Sequence, residues 1–465
     1  MNLNKEQYQA AVHVNGPMLV LAGPGSGKTH LLVERIRMMI EKAGIPPESI
    51  LVITFSKKAA AQMKARFERR TEGCLYPVTF GTFHAVFYHI LKEYDPDAAR
   101  LITEEEAEGF AEHLKRSYDI FEDDTEAGEI IGLISSYRNL SDDFFTRNDR
   151  GRGMDEPERE SFIKLAGEYA MLCENAGVID FDDMIIKCRD LFCRHESVLR
   201  KWQNRFRYFL VDEFQDINDG QYELLRLLAG DDMNVFAVGD DDQSIYAFRG
   251  ARPALMKKFM NRGRTKRVDL RMNYRCCPSV IGAADTLIRH DPDRIDRPIQ
   301  EHVRGRGRGY VEIVNTESAA VQAAYVCDRI EELMDSDGYS PQDIAILYRS
   351  AYCAKIIKKE AEKRGLFGSE QEKSVRMMTA HASKGLEFPC VFIIGLQEGL
   401  FPHLRNSACD IGEERRLLYV AMTRAKERLI LCSLSSEHGK RPSRFVYEIL
   451  EKKRYLSDLI KVTRV

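Results

Sequence analysis

The segment Ala22-Gly23-Pro24-Gly25-Ser26-Gly27-Lys28-Thr29 carries the most specific chemical signal in the chain. Glycines let the backbone turn tightly enough for successive N–H groups to converge on a phosphate, and a helix starting at the end of the turn adds its positive pole. Lys28 is then placed to reach the β- and γ-phosphates of a nucleoside triphosphate, and the Thr29 hydroxyl to ligate Mg²⁺. Ala22 stands where the strict pattern has its first glycine, a small departure. The surroundings suit the motif. An apolar run, Met18 to Ala22, precedes the turn, and Leu31, Leu32, Ile36, Met39 and Ile40 follow at helical spacing.

A bound triphosphate also needs a second carboxylate for the metal and a group that activates water. Phe209-Leu210-Val211-Asp212-Glu213 supplies both, as an apolar strand ending in two acids. Asp212 is expected to hold Mg²⁺ through water, and Glu213 to orient or deprotonate the attacking water. Negative charge gathering on the γ-phosphate oxygens calls for arginines as well, but spacing alone does not choose among so many.

Elements must position these groups. Short apolar runs at 18–22, 50–55, 206–211 and 235–239 alternate with helical stretches, and a second set follows at 310–314, 344–348, 375–378, 391–395 and 429–432. Strands alternating with helices imply parallel sheets covered on both faces. This many strands predicts two α/β units, with a break near Asn261-Arg262-Gly263-Arg264. Residues 89–179 differ, being strand-poor and periodic in Ala, Leu, Ile and Phe, so a helical insertion in the first unit is expected. That stretch holds 10 Lys+Arg against 23 Asp+Glu, so an acidic insert interrupts a basic body although the whole chain is only at −3. The basic loop Arg304 to Gly309 is expected to be a solvated turn.

The chain has 465 residues, 44% hydrophobic and 30% charged. At roughly 100–200 residues per domain this predicts two to four domains of ordinary globular composition. No apolar run approaches the roughly 18 residues that cross a bilayer, and the start lacks the basic-then-apolar layout of a signal peptide, so a cytoplasmic protein with no membrane partner is expected. The 11 scattered cysteines, without CxxC spacing, suggest free thiols rather than a zinc or iron–sulfur site.

The ordered motifs resemble the UvrD/Rep family of superfamily 1 DNA helicases. They run from Leu3-Asn4-Lys5-Glu6-Gln7 through the glycine loop, Thr54-Phe55-Ser56-Lys57-Lys58-Ala59-Ala60 and Gly81-Thr82-Phe83-His84. Asp180-Phe181-Asp182-Asp183, Asp212-Glu213-Phe214-Gln215-Asp216, Gly239-Asp240-Asp241-Asp242-Gln243-Ser244-Ile245-Tyr246 and Phe248-Arg249-Gly250-Ala251 follow. The second unit adds Asn273-Tyr274-Arg275, Leu347-Tyr348-Arg349, Thr379-Ala380-His381-Ala382-Ser383-Lys384-Gly385-Leu386-Glu387-Phe388 and Tyr419-Val420-Ala421-Met422-Thr423-Arg424-Ala425.

The resemblance implies two RecA-like lobes, residues 1–88 with 180–263 and residues 264–465, with the helical insertion at 89–179. It implies ATP and Mg²⁺ as cofactors, single-stranded DNA as partner, and 3′→5′ movement powered by hydrolysis between the lobes. Gln7 would read adenine, Tyr274 stack on it, Glu387 contact the ribose and Arg66 support the pocket. Gln243 would sense the γ-phosphate, with Arg275 and Arg424 as arginine fingers. Phe55, Phe83, His84, Tyr246, Phe248, Arg249 and His403 would line the DNA track, combining stacking faces with cations.

Three departures matter. Phe248 stands where relatives often carry Trp, and His30 follows the glycine loop where relatives usually have Arg. Only Ser350 to Met378 joins two motifs between which relatives carry an accessory subdomain. The chain thus resembles a minimal helicase. A translocase that strips proteins, or that unwinds only with a partner replacing the missing subdomain, is the alternative.

Overall fold

The computed structural model describes the whole chain except residues 1–2, 95–99, 141–143, 148–150, 152, 248–249, 298–300, 303–308, 367–373, 404–409, 435–440, 452–459 and 465. It divides into two units. The first comprises Met1–Leu21, Lys28–Asp240 and Tyr246–Leu270, and the second Ala22–Gly27, Asp241–Ile245 and Arg271–Val465.

The first unit is built on a sheet of β1 (Met18–Ala22), β2 (Ile50–Ile53), β3 (Thr79–Gly81), β4 (Tyr208–Val211), β5 (Val235–Gly239) and β6 (Lys266–Leu270), in the order β3-β2-β4-β5-β1-β6. Every residue of β1, β2 and β5 is buried, which suits strands covered on both faces. Parallel pairing sets Leu21 beside Gly239 and Val211 beside Ala237. The carboxyl ends of β4, β5 and β1 therefore lie side by side, where open α/β sheets bind ligands. β3 and β6 escape the apolar-run signal because they are edge strands: β3 is three half-buried residues, and β6, Lys-Arg-Val-Asp-Leu, is largely polar. Since β6 completes this sheet, the first unit continues to Leu270, past the Asn261–Arg264 segment where the sequence suggested a break.

Helices Glu104–Ser117, Ala127–Leu140 and Glu156–Asn175 dominate the acidic insertion and share a core of Ala111, Leu114, Ile130, Ile134, Leu165 and Tyr169. Its acids are partly capping groups. Thr103 with Glu106, and Asp155 with Glu158, form reciprocal caps, where negative charge meets the positive helix end.

Arg138 ties the insertion to helix Phe181–Arg194, donating to Asp180 at 2.8 Å and Asp183 at 2.5 Å. Burial lifts the Asp180 carboxyl to about 6, against the pull of Arg138. Removing one partner of a buried ion pair strands the others, so Arg138→Met is expected to destabilise the protein by about 3 kcal/mol. Urea denaturation followed by helix signal checks this, and a loss under about 1 kcal/mol contradicts it.

The second unit holds β7 (Tyr310–Thr316), β8 (Ile344–Tyr348), β9 (Arg376–Thr379), β10 (Phe388–Ile393), β11 (Ala425–Leu434) and β12 (Ile460–Arg464), ordered β9-β8-β10-β11-β7-β12. All of these pairings are parallel. β8 and β9 are adjacent, and the described part of their connection contains one helix, Ala351–Lys363, as in an ordinary crossover. That is where the accessory subdomain would have to be inserted.

Ten cysteines are free thiols, and Cys409 lies outside the described residues, as do Arg304 to Arg308 of the basic loop. No helix among the described residues is long and apolar enough to cross a membrane.

Candidate functional site

β1 delivers the glycine loop. Gly25 and Gly27 take φ of +68° and +85°, a region that strains residues bearing a Cβ. Ser26 closes the turn, its hydroxyl donating to the Gly23 carbonyl at 2.7 Å. Within the second unit the loop is held by one short segment: Asn273 Nδ2 donates to the Pro24 carbonyl at 2.7 Å, and the Tyr274 N–H to that of Gly25 at 2.8 Å. A Cβ on Gly25 would lie 2.5 Å from the Arg275 Cβ, so alanine is excluded there on packing as well as φ.

In the first unit, Lys28 opens helix Lys28–Glu41 and meets Glu213 at 3.0 Å. Burial acts to lower the Lys28 pKa, but the charges of Glu213, Asp212 and Asp240 outweigh it and raise the value, so the ammonium stays protonated. Asp212 and Glu213 follow β4. Burial, then the neighbouring Glu213 charge, pushes the Asp212 carboxyl up to about 7, although Lys28 pulls it down. Such an excess of half-buried negative charge favours a cation. A carboxylate and the Thr29 hydroxyl are hard oxygen donors suited to Mg²⁺.

Glu213 adopts left-handed backbone, φ 52° and ψ 48°, uncommon for a residue with a side chain and typical of functional sites. Gln215 supports it. Fully buried, its Nε2 donates to Glu213 Oε2 at 2.6 Å while its Oε1 accepts from the Asp240 N–H at 2.9 Å, tying the ends of β4 and β5 together. Gln215 belongs to a quoted motif yet has no role in the sequence reading, because an amide signals no chemistry by itself. Asn273, another amide, has none either, and Lys384 is one cation among many until its contact with the Gln243 carbonyl is seen.

Gln7 is buried and forms a reciprocal cap with Asn4 on helix Lys5–Ala11, its Oε1 accepting the Asn4 N–H at 3.0 Å. Arg66 is exposed on helix Lys57–Arg70 and makes no hydrogen bond or ion pair with a described residue. In the second unit Arg275 pairs with Glu387 at 2.7 Å, and Lys426 takes its other oxygen at 2.8 Å. Burial opposes ionisation of Glu387, yet these two cations hold its pKa below the usual carboxylate range. Arg424 is almost fully buried. It donates to the carbonyls of Val420 and Leu386 and, at 3.3 Å, to Gln243 Oε1.

Phe55 is 43% exposed and stacks on Tyr246, rings 4.9 Å apart and 9° from parallel. His84 is half-buried, edge-on to Phe181 at 5.1 Å. Burial lowers its pKa, against Asp182, so it is neutral at pH 7 and offers a ring rather than a charge. Phe83 is the most enclosed of these rings. It is 6% exposed and packed on Phe87, since helix Phe83–Tyr94 turns its apolar face inward from the first residue, yet it still borders the space beside Asp212 and Glu213. A small cavity of about 50 Å³ links the two sets of residues, lined by Thr54, Phe55 and His84 and by Asp212 and Glu213. His403 is half-buried in the second unit, its N–H donating to Glu414 at 2.9 Å. Phe248 and Arg249 lie outside the described residues.

Comparison with known proteins agrees with this assembly. Residues 3–263 match the UvrD/REP helicase N-terminal domain, and residues 366–436 the UvrD-like helicase C-terminal domain. The putative ATP-dependent DNA helicase YjcD of Bacillus subtilis is 27% identical, covering 98% of this chain and 82% of its own length. That alignment spans 636 positions against 465 residues here, so YjcD carries additional sequence within the matched span. A probable DNA helicase of Mycoplasma pneumoniae is 28% identical over 474 positions, covering 97% of this chain and 87% of its own length. DNA helicase II of Haemophilus influenzae is 31% identical over 76% of this chain, which spans about half (49%) of that relative. The chain belongs to the UvrD/REP helicase family.

Proposed function

We propose that the protein is an ATP-driven motor that moves 3′→5′ along single-stranded DNA and separates strands, acting in DNA repair, replication or recombination in the cytoplasm. The observation that carries this reading is the convergence of Lys28, Asp212, Glu213 and the end of β5 at one edge of the first sheet. It is the layout that phosphoryl transfer requires.

Glycine-loop N–H groups and Lys28 bind the phosphates, Thr29 and Asp212 hold Mg²⁺, and Glu213 orients the attacking water and takes its proton. Bound Mg²⁺ supplies charge neutralisation at the phosphate oxygens. Lys28 and Glu213 start as an ion pair. An arriving triphosphate competes for Lys28, and Glu213 is released to meet water only once that competition is won. Gln243 senses the γ-phosphate, Arg275 and Arg424 stabilise its developing charge, and Gln7, Tyr274, Glu387 and Arg66 contact the nucleoside. Arg275 must exchange its Glu387 partner for phosphate.

Phe55, Phe83, His84, Tyr246, Phe248, Arg249 and His403 form the DNA track. Tyr246→Ala removes one stacking face, worth roughly 1–3 kcal/mol per base. It is expected to raise the single-stranded DNA concentration giving half-maximal ATPase stimulation by about tenfold. An unchanged value removes Tyr246 from the track.

A second reading, translocation with weak unwinding unless a protein partner assists, is favoured by the shortness of the connection between β8 and β9, Arg349 to Val375. ATPase measured with and without single-stranded DNA and RNA tests the motor. Strand separation of 3′-tailed against 5′-tailed duplexes tests direction and divides the two readings. Hydrolysis indifferent to nucleic acid defeats both.

A further inference from the structure

Two adjacent carboxylates, Asp241 and Asp242, sit immediately before Gln243 with side chains only 5% and 2% exposed. Burial of that much negative charge requires full compensation. Two arginines and a backbone N–H that contribute to it lie in one short segment after helix Pro278–Ile288. Arg297 reaches Asp241 at 2.7 Å and Asp242 at 2.5 Å, and Arg294 Nε lies 3.0 and 3.1 Å from the two Asp242 oxygens. The Ile295 N–H donates to Asp241 at 2.6 Å.

The segment is itself anchored. Asp291 accepts the Asp293 N–H at 3.0 Å and receives Arg416 at 2.7 Å. The same Arg416 donates through Nε to the Ser244 carbonyl at 2.9 Å. The turn is therefore gripped on both sides of Gln243, at Asp241 and Asp242 before it and at Ser244 after it. Gln243 meets two further cations: its carbonyl accepts Lys384 at 3.0 Å and its Oε1 accepts Arg424 at 3.3 Å. Arg416 lies on helix Ile411–Met422, and Arg424 follows two residues after its end, so one rigid element carries both contacts.

We propose that Arg297, assisted by Arg294, is a positioning residue that fixes the Asp241-Asp242 turn so that Gln243 faces Arg424. This rests on Gln243 being the γ-phosphate sensor, as inferred above. Arginine suits the place because its planar fork spans two carboxylates, whereas lysine offers a point charge that serves one at a time. With the turn loosened, Gln243 samples orientations that miss Arg424. Turnover then falls while the nucleotide-binding groups on the first unit stay intact.

The test uses the full chain, with phosphate release measured against ATP concentration at saturating oligo(dT). Arg297→Gln is expected to lower kcat at least tenfold with the KM for ATP changed less than threefold. Arg297→Lys, which keeps the charge and the fold should the glutamine variant unfold, is expected to lower kcat at least threefold. In a Gln243→Ala background, measured by single-turnover phosphate release, neither substitution is expected to cause further loss, since Arg297 acts through Gln243. A purely architectural residue would show the same loss in both backgrounds, and that result overturns the proposal. So does wild-type kcat in folded Arg297→Lys. Lys28→Ala, assayed alongside, separates the failures: if it is inactive while Arg297→Lys is normal, only the positioning role is lost, whereas an active Lys28→Ala defeats the motor reading and this one with it.

Discussion

Lys28→Ala is expected to reduce DNA-stimulated ATP turnover by at least about a thousandfold, the scale on which preorganised charge stabilises a transition state. The side chain is 14% exposed and surrounded by acids, and its charge persists there because Glu213, Asp212 and Asp240 together outweigh the burial penalty. Removing it leaves those carboxylates facing the incoming triphosphate with no cation between them, so binding and chemistry are both impaired. Lys28→Arg keeps the charge but replaces a compact ammonium by a broad fork, and a loss of about a hundredfold is expected even so. Steady-state phosphate release at saturating single-stranded DNA is the measurement. Turnover within tenfold of wild type, in an alanine variant that melts like the parent, removes Lys28 from the chemistry.

Why that residue could be picked from sequence, and others could not, is a matter of where information resides. Lys28, Asp212 and Glu213 stand out because the chemistry proposed for them depends on local order, a glycine turn between strand and helix and acids directly after an apolar strand, and the fold brings Lys28 and Glu213 together. The inner strands of both sheets are legible for the same reason, since burial on both faces demands uninterrupted apolar runs such as Met18–Ala22 and Val235–Gly239. Edge strands lack that demand, and Lys266–Leu270 reads as polar linker until its neighbour is known. Phe83 is a different case. Its motif marks it as a track residue, but how far its ring is enclosed is fixed by what its helix packs against, and that is a tertiary fact. Gln215 and Arg297 act through partners 25 and about 55 residues away, so no window of sequence holds both ends of either contact. Arg138, which ties the insertion to Asp180 and Asp183, is hidden likewise.

Glu213→Gln is the complementary experiment, because it separates binding from chemistry at one atom. The amide matches the carboxylate in size, and its carbonyl can still accept from Lys28 and Gln215, the groups that hold the native side chain at 3.0 and 2.6 Å. The left-handed backbone at this position is retained too, since neither residue type relieves it. What is lost is a group able to take a proton from water. General-base catalysis contributes roughly 10²–10⁴ in rate, so kcat is expected to fall by about that factor. Affinity for ATP should hold or improve, because one negative charge leaves the neighbourhood of the phosphates and Lys28 no longer has to be won from a carboxylate. Single-turnover phosphate release paired with equilibrium titration of a fluorescent ATP analogue reads the two effects separately. Parallel losses in rate and affinity would mean that Glu213 serves mainly to hold Lys28 in place, and the water-activating group would then have to be sought elsewhere along the edge formed by β4, β5 and β1.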